Sequence, residues 1–268
     1  MALSKRSSQT KAEYSSHVPA VDQAARILLA LAEDASAAMT LTDVCRAVGI
    51  HKSKGYSILN TLQQFAFVQR SPDSKTYGLG PGLLYLAGRV LNTLDLREAV
   101  SPVLHKLSRE TDSTAFLGLI SDGHVFVVAK DEGTQEIGLT IRLGHRFPLA
   151  WGAHGKAIVA FLPEEERERV LRSAKPYFHG ARSKFDPNRL RGELAQCRKT
   201  GFALDLGDMK AGIHAVASPV FGHSGKLIGS IAVVGTFPKE RVEKYGSAVA
   251  KAGRAFSKLL QGAPKTSV

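Results

Sequence analysis

The chain has 268 residues, 44% of them hydrophobic and 22% charged. Those proportions are near the globular norm and exclude a collagen, a coiled-coil rod or a mostly disordered chain, and no apolar run approaches the roughly 20 residues that span a bilayer. The 36 Lys and Arg against 24 Asp and Glu leave a net charge of +12, which suits a polyanionic partner without saying where it binds, because residues 1–97 carry 11 basic and 7 acidic groups and residues 98–268 carry 25 and 17. Cys45 and Cys197 make neither a disulfide framework nor a zinc cluster; both fall in helical patterns, where a free Cys is a small buried hydrophobe. A reducing, cytoplasmic setting is expected.

Residues 1–20, rich in Ser, Lys and Ala, have no periodicity and no apolar core of a signal peptide, and read as a disordered basic tail. From Val21 to about Ala35 the apolar residues Val21, Ala24, Ala25, Leu28 and Leu31 recur at helical spacing. Thr40-Leu-Thr-Asp43 opens a second helix with a capping box, and Gly49 stops it. A third helix runs from Lys52 to about Gln64, with Ile58, Leu59, Leu62 and Phe65 inward. Two short helices across a tight turn make a helix-turn-helix. Phe67–Arg70 and Thr76–Leu79 then form a hairpin, the wing, and residues 21–80 make up a winged helix-turn-helix domain.

The outward face of the third helix carries Lys52, Ser53, Lys54, Tyr56 and Ser57. Lys places point charges on phosphates, Ser donates to phosphate oxygens, and Tyr reaches a base edge or a thymine methyl. Thr42 on the second helix and Arg70 and Lys75 on the wing join them as candidate DNA contacts. An ordinary solvated helix face shows the same residues, so the face gains meaning from the turn and wing beside it.

Leu83, Leu84, Leu86, Ala87, Val90, Leu91 and Leu94 give residues 81–97 the apolar face of a linker helix suited to dimer contact or to packing on the next domain. Residues 98–268 then read as helix Glu98–Glu110, strands Thr114–Ile120, His124–Lys130 and Glu136–Leu143, and an apolar helix Ala157–Phe161. A helix at Pro163 and another capped by Asp186 and stopped at Gly201 follow. Strands Phe202–Leu206, Ile213–Val220 and Leu227–Val234 and a closing helix Pro238–Leu260 end the domain. The fold class is α+β with an antiparallel sheet.

Five stretches in this order resemble the IclR family of bacterial transcription regulators: Leu41–Gly49 with Lys52 and Ser53; Tyr77–Gly80; Leu143–Pro148 with Gly155–Ala157; Thr200–Ala203 with Asp205; and Gly212–Ile213 with Ala217–Val220. The resemblance covers residues 20–260. It implies a GAF-like effector-binding domain, dimers and dimers of dimers, double-stranded DNA with a pseudopalindromic operator as partner, and a small organic or aromatic acid as effector. It also implies that the backbone N–H groups of Ala153 and His154, at a helix start after Trp151, cradle the acid's carboxylate, with Asp205 beside them; a helix N-terminus suits an anion on physical grounds too. A family member that binds small oxoacids has polar side chains where this chain has Ala215, Ala232 and Val234. That departure favours a larger or aromatic acid. Phe147 and Trp151 fit such a pocket, and fit a plain core equally well. In the third helix Gly55 replaces a larger residue, at about 1 kcal/mol of helix stability, while Lys54 and Ser57 replace a commoner Thr and Arg.

Enzymatic alternatives have little support. Lys156 after glycines lacks the Gly and the Ser or Thr of a P-loop, since positions 150 and 157 are Ala. Ser218 and Ser224 have no nucleophile-elbow context. Asp205, Asp208, His154 and His214 form a weak metal-binding alternative, and no cofactor or metal is expected. A third reading keeps the chain as a sensor module whose helix-turn-helix only packs on a partner.

Overall fold

The computed structural model describes residues 18–33, 39–93, 96–134, 141–173, 177–180 and 182–262. The chain divides into two compact units, residues 1–93 and 94–268.

The first unit is built from α1 (Pro19–Glu33), α2 (Leu41–Val48), α3 (Lys52–Gln64), β1 (Val68–Arg70), β2 (Tyr77–Leu79) and α4 (Gly82–Thr93). The expected tail lies outside the described residues up to 17, and α1 starts at Pro19 rather than Val21, with Pro at the first helical position where its missing N–H is harmless. Ala35, the expected end of α1, lies outside the described residues. The capping box at α2 is complete: the Thr40 hydroxyl accepts from the Asp43 N–H, and the Thr40 N–H donates to the Asp43 carboxylate. The Thr40 hydroxyl and N–H, both donating to the Asp43 carboxylate, hold that carboxyl below its usual range. Gly49 closes α2 with φ 72°, and only three residues separate α2 from α3. Ile27, Leu31, Val44, Leu59, Leu62, Val68 and Tyr77 form the core.

Two details of α3 differ from expectation. Phe65 does not face inward; it is 61% exposed and stacks on Phe67 at 5.8 Å. The helix ends at Gln64, so helical spacing no longer governs where residue 65 lies. Gly55 is buried instead, and a Cβ there would stand 2.3 Å from the Cys45 sulfur. The glycine lets α3 approach α2 closely, so its helix-propensity cost has a packing return.

The second unit comprises α5 (Leu96–Thr111), β3 (Thr114–Ser121), β4 (His124–Asp131), β5 (Arg146–Pro148), α6 (Gly152–Val159), α7 (Glu164–Ser173), α8 (Pro187–Thr200), β6 (Ala203–Leu206), β7 (His214–Phe221), β8 (Leu227–Gly235) and α9 (Val242–Gly262). Its sheet is antiparallel throughout, in the order β5-β4-β3-β8-β7-β6. α5 and α9 cover one face, over Leu117, Val216, Ile231 and Val233; α6 and α8 cover the other, over Phe116, Ala203, Ala217 and Ala232. The architecture is the α+β arrangement expected, a helix-turn-helix unit followed by an antiparallel sheet with helices.

Most of the strand expected over 136–143 lies outside the described residues, as does Leu94, together with the side chains of Val90 and Leu91. Ile141–Leu143 is not strand; a turn at Leu143-Gly144 redirects the chain and Arg146–Pro148 pairs with β4 instead. The apolar helix read at Ala157 begins at Gly152, the start after Trp151 that the family resemblance implies. Every residue of α6 is buried, so no polar face sets the period from which a helix is read. The closing helix proper starts at Val242, after a 3-10 turn at Lys239–Arg241.

Gly55→Ala is expected to lower stability by about 1 kcal/mol through overpacking, despite better helix propensity, with the loss relieved by a second change, Cys45→Ala. Urea unfolding checks this; a stabilised single variant would contradict it.

Candidate functional site

In the first unit, Lys52, Ser53, Lys54, Tyr56 and Ser57 are exposed along the first turns of α3, opposite the buried Gly55, Leu59 and Leu62. The Ser57 hydroxyl is turned back to the Ser53 carbonyl at 3.1 Å. Thr42 is half-buried in the first turn of α2. Arg70 and Lys75 are both exposed on the wing hairpin, and the Arg70 guanidinium lies 5.6 Å from the Tyr77 ring centre, which steadies it by a cation–π contact. Sequence reading passed over His51, the N-cap of α3, which makes no side-chain capping bond. The N–H groups of that first turn therefore keep their capacity for an anion, beside Lys52 and Lys54. The readable signal is a His where Ser, Thr, Asp or Asn is usual.

In the second unit, the register places Asp205, Ala215 and Val234 in one row across β6, β7 and β8, and Ala203, Ala217, Ala232 and Phe116 in the next. Both rows face α6, where Ala153 packs among the same buried residues as Ala217 and Ala232. The Asp205 carboxylate reaches the start of that helix: a Cβ on Gly152, whose φ is 56°, would stand 3.6 Å from Oδ2. Asp205 Oδ1 accepts from the backbone of Gly207, Asp208 and Met209. Burial nonetheless pushes its carboxyl up. Trp151, the N-cap of α6, offers no side-chain bond to the helix.

Phe147 is the hub of an aromatic cluster. It stacks on Trp151 at 5.0 Å and on His145 at 4.3 Å, with His154 tilted against it at 5.1 Å. His154 is 5% exposed and burial lowers its pKa to about 4, so its imidazole is neutral at pH 7. His145 is an addition to the expected set; the sequence marks it only as part of a glycine-containing loop.

The largest omission is Lys156. Its side chain is 1% exposed, and its ammonium lies 2.8 Å from Glu193 on α8, 3.1 Å from the Leu204 carbonyl on β6 and 3.9 Å from Asp208. Arg189 clamps Asp208 with two bonds and also donates to Glu193. Buried His179 accepts the Asp186 N–H at Nδ1, which leaves Nε2 to donate to Glu193 at 3.0 Å. Burial acts to raise the Glu193 and Asp208 carboxyls, but the bonds from Lys156, His179 and Arg189 outweigh it and hold both below their usual range. The network joins α6 to α8, β6 and the loop after β6. Gly155 completes the fit, since a Cβ there would stand 2.3 Å from the Leu149 carbonyl.

The weak metal alternative fails on geometry. His214 lies on the sheet face opposite Asp205, adjacent to it in register order, with Nδ1 2.6 Å from the Phe237 carbonyl. Among the described residues no group of three or more His, Cys, Asp or Glu could hold a metal ion.

Two predictions follow from burial. Lys156→Met should destabilise the second unit by about 3 kcal/mol, because Glu193 and Asp208 lose the buried cation between them; denaturant unfolding measures it, and a neutral result would dismiss the network as scaffold. His154 binds a proton in the unfolded chain below about pH 6.5 but in the folded chain only near pH 4. Stability is therefore lost as pH falls from about 6.5 to 4, by about 3 kcal/mol at the lower end. The difference between the parent and His154→Phe isolates that slope, and identical pH profiles would contradict it.

Known proteins locate this architecture. The model of the IclR helix-turn-helix domain matches residues 20–72, and that of the bacterial transcriptional regulator IclR C-terminal domain matches residues 88–258. The HTH-type transcriptional regulator RhmR of Escherichia coli is 31% identical over 251 residues, 92% of this chain and 95% of its own. XynR of the same organism is 28% identical over 246 residues, 91% of this chain and 97% of its own. A crystal structure of an IclR-type regulator from Alicyclobacillus acidocaldarius superposes with a TM-score of 0.78 at 28% identity, covering 92% of this chain and all of that one. A second, an IclR homolog from Microbacterium hydrocarbonoxydans in complex with 4-hydroxybenzoate, has a TM-score of 0.76 at 21% identity, over 91% of this chain and all of its own. These relatives are named as transcription regulators, not enzymes. The chain belongs to the IclR family of DNA-binding bacterial transcription regulators.

Proposed function

We propose that this regulator binds a pseudopalindromic operator through the α3 face Lys52–Ser57, with Thr42, Arg70 and Lys75 as flanking contacts, and that a small aromatic acid bound in its GAF-like C-terminal domain changes operator affinity. The observation that carries the ligand half is the uncapped start of α6, laid over a row of small apolar residues and roofed by aromatic rings. The N–H groups of Ala153 and His154 take the carboxylate. Ala215, Ala232 and Val234 offer apolar area to a ring but no hydrogen bonds. Phe147 and Trp151 add stacking surface. The 4-hydroxybenzoate complex of the Microbacterium protein supports the ligand class by likeness of fold.

The chain works as a homo-oligomer. Leu84, Tyr85 and Leu86 of α4 are 74%, 70% and 45% exposed, apolar area suited to a second copy. No helix among the described residues is long and apolar enough to cross a membrane, in keeping with action on cytoplasmic DNA.

Selection of bound duplexes from a random pool tests the DNA half. An enriched pseudopalindrome is expected; enrichment of none, with or without aromatic acids, would leave a sensor module instead. On the selected duplex, Lys52→Ala with Lys54→Ala should weaken binding and flatten the log–log salt slope by about 2. Unchanged affinity would remove α3 from the interface. Titrating a panel of aromatic carboxylates into the operator complex should shift the apparent affinity, and Ala232→Glu, which places a charge in the apolar row, should abolish the shift while leaving operator binding intact.

A further inference from the structure

The second unit has a concavity away from the Asp205 row, at the C-terminal end of α8 beside α9 and β7. It encloses about 390 Å³. Four cations ring it: Arg198 and Lys199 from the last turn of α8, and Arg254 and Lys258 from α9. None of the four is ion-paired to an acid among the described residues, unlike Arg26, Arg46, Arg167, Arg172 and Arg189. Basic residues at a helix C-terminus complement its dipole, which accounts for Arg198 and Lys199. It does not account for Arg254 and Lys258, which sit one turn apart within α9, where like charges repel. The Arg254 guanidinium also reaches the end of α8, where a Cβ on Gly201 would stand 3.0 Å from its Nη1. The cluster thus gathers same-sign charge from two helices around one hollow.

The lining supplies a second observation. Ser218 on β7 is 2% exposed and borders the cavity. A serine hydroxyl at the wall can donate to an acceptor oxygen held in the hollow. The wall is apolar: Phe161 and Phe221 meet edge to face at 5.7 Å. Pro219, Thr200, Gly201 and Ser257 complete the lining.

We propose that this cavity binds the phosphate monoester of a small apolar or aromatic molecule, as a second ligand site distinct from the start of α6. Two guanidinium groups match the forked geometry of phosphate oxygens, and a dianion balances a four-cation ring better than a carboxylate does. The Ser218 hydroxyl donates to the ester, and the phenylalanine wall covers the organic part. Nucleic-acid backbone is the competing occupant of any basic surface, but a hollow with an apolar wall and a buried hydroxyl fits a small molecule. The site also touches α6 directly, because Arg198 donates to the Ala160 carbonyl that caps that helix at 3.2 Å.

Calorimetric titration of the full-length protein with phenyl phosphate tests the proposal. One saturable site per chain is expected, with weaker binding of inorganic phosphate. Arg254→Glu with Lys258→Glu, both on exposed side chains, should raise the Kd at least tenfold while the response to benzoate stays unchanged. Ser218→Ala, which alters no charge, should raise it severalfold at an unchanged melting temperature. The proposal is overturned if phenyl phosphate fails to saturate the folded protein, if both variants bind it as the parent does, or if the double variant loses operator affinity while no variant or parent binds phenyl phosphate, which would assign the patch to DNA.

Discussion

A lysine ammonium buried to 1% exposure has to be matched or it unfolds its surroundings. Lys156 is matched by a carboxylate from α8, a carbonyl from β6 and a second carboxylate from the loop after β6; Arg189 bonds both carboxylates, and His179 bonds the first. Those partners lie far along the chain from Lys156, which sits in the middle of α6. The ion cluster therefore fixes where α6 sits on the sheet, and with it the distance between the helix start and Asp205. A cluster of this kind is weak evidence for extra stability, since apolar replacements often do as well. Its consequence here is register: the cation can be satisfied in one seating of the helix, and that seating brings Gly152 to the Asp205 carboxylate.

The two units solve their packing differently. The small first unit has a core of few side chains, so its helices depend on local devices: a complete capping box at α2, a left-handed glycine at its end, and a glycine in α3 where the two helices touch. Keeping α3 close to α2 leaves its other face, with Lys52, Lys54 and Tyr56, wholly to solvent. In the second unit the sheet separates two cores. On the α5 and α9 side the sheet presents Leu117, Val216, Ile231 and Val233, whereas on the α6 side its central strands present Ala203, Ala215, Ala217 and Ala232 beside Phe116. The alanines leave that face less side-chain volume beneath the start of α6, where the proposed ligand sits.

Most of the fold was legible because its signals are local. The Thr40 and Asp186 caps, the stops at Gly49 and Gly201, and the continuous apolar runs of strands 114–121 and 227–235 each follow from residues a few positions apart. The failures are equally physical. α6 has no polar face, so its start at Gly152 left no period to read. Phe65 looked inward because helical spacing was extended one residue past the helix. Gly55 looked like a defect because its benefit lies in contact with Cys45. Of the candidate site, the Asp205, Ala215 and Val234 row follows from strand register, but the Lys156 cluster does not: its partners Glu193, Asp208 and His179 are joined only by the folded chain. His51 was overlooked because what matters there is the side-chain bond it does not make.

In the proposed function the start of α6 is where ligand chemistry meets the fold, with the aromatic rings of Phe147 and Trp151 above it and the small apolar row below. Amide hydrogen exchange of the full-length protein, with and without a saturating aromatic carboxylate, reads that point directly. Exchange at Ala153 and His154 should slow when the acid is present, because their N–H groups then donate to its carboxylate. Bound acid with exchange unchanged at those two residues would place the ligand elsewhere and contradict the account.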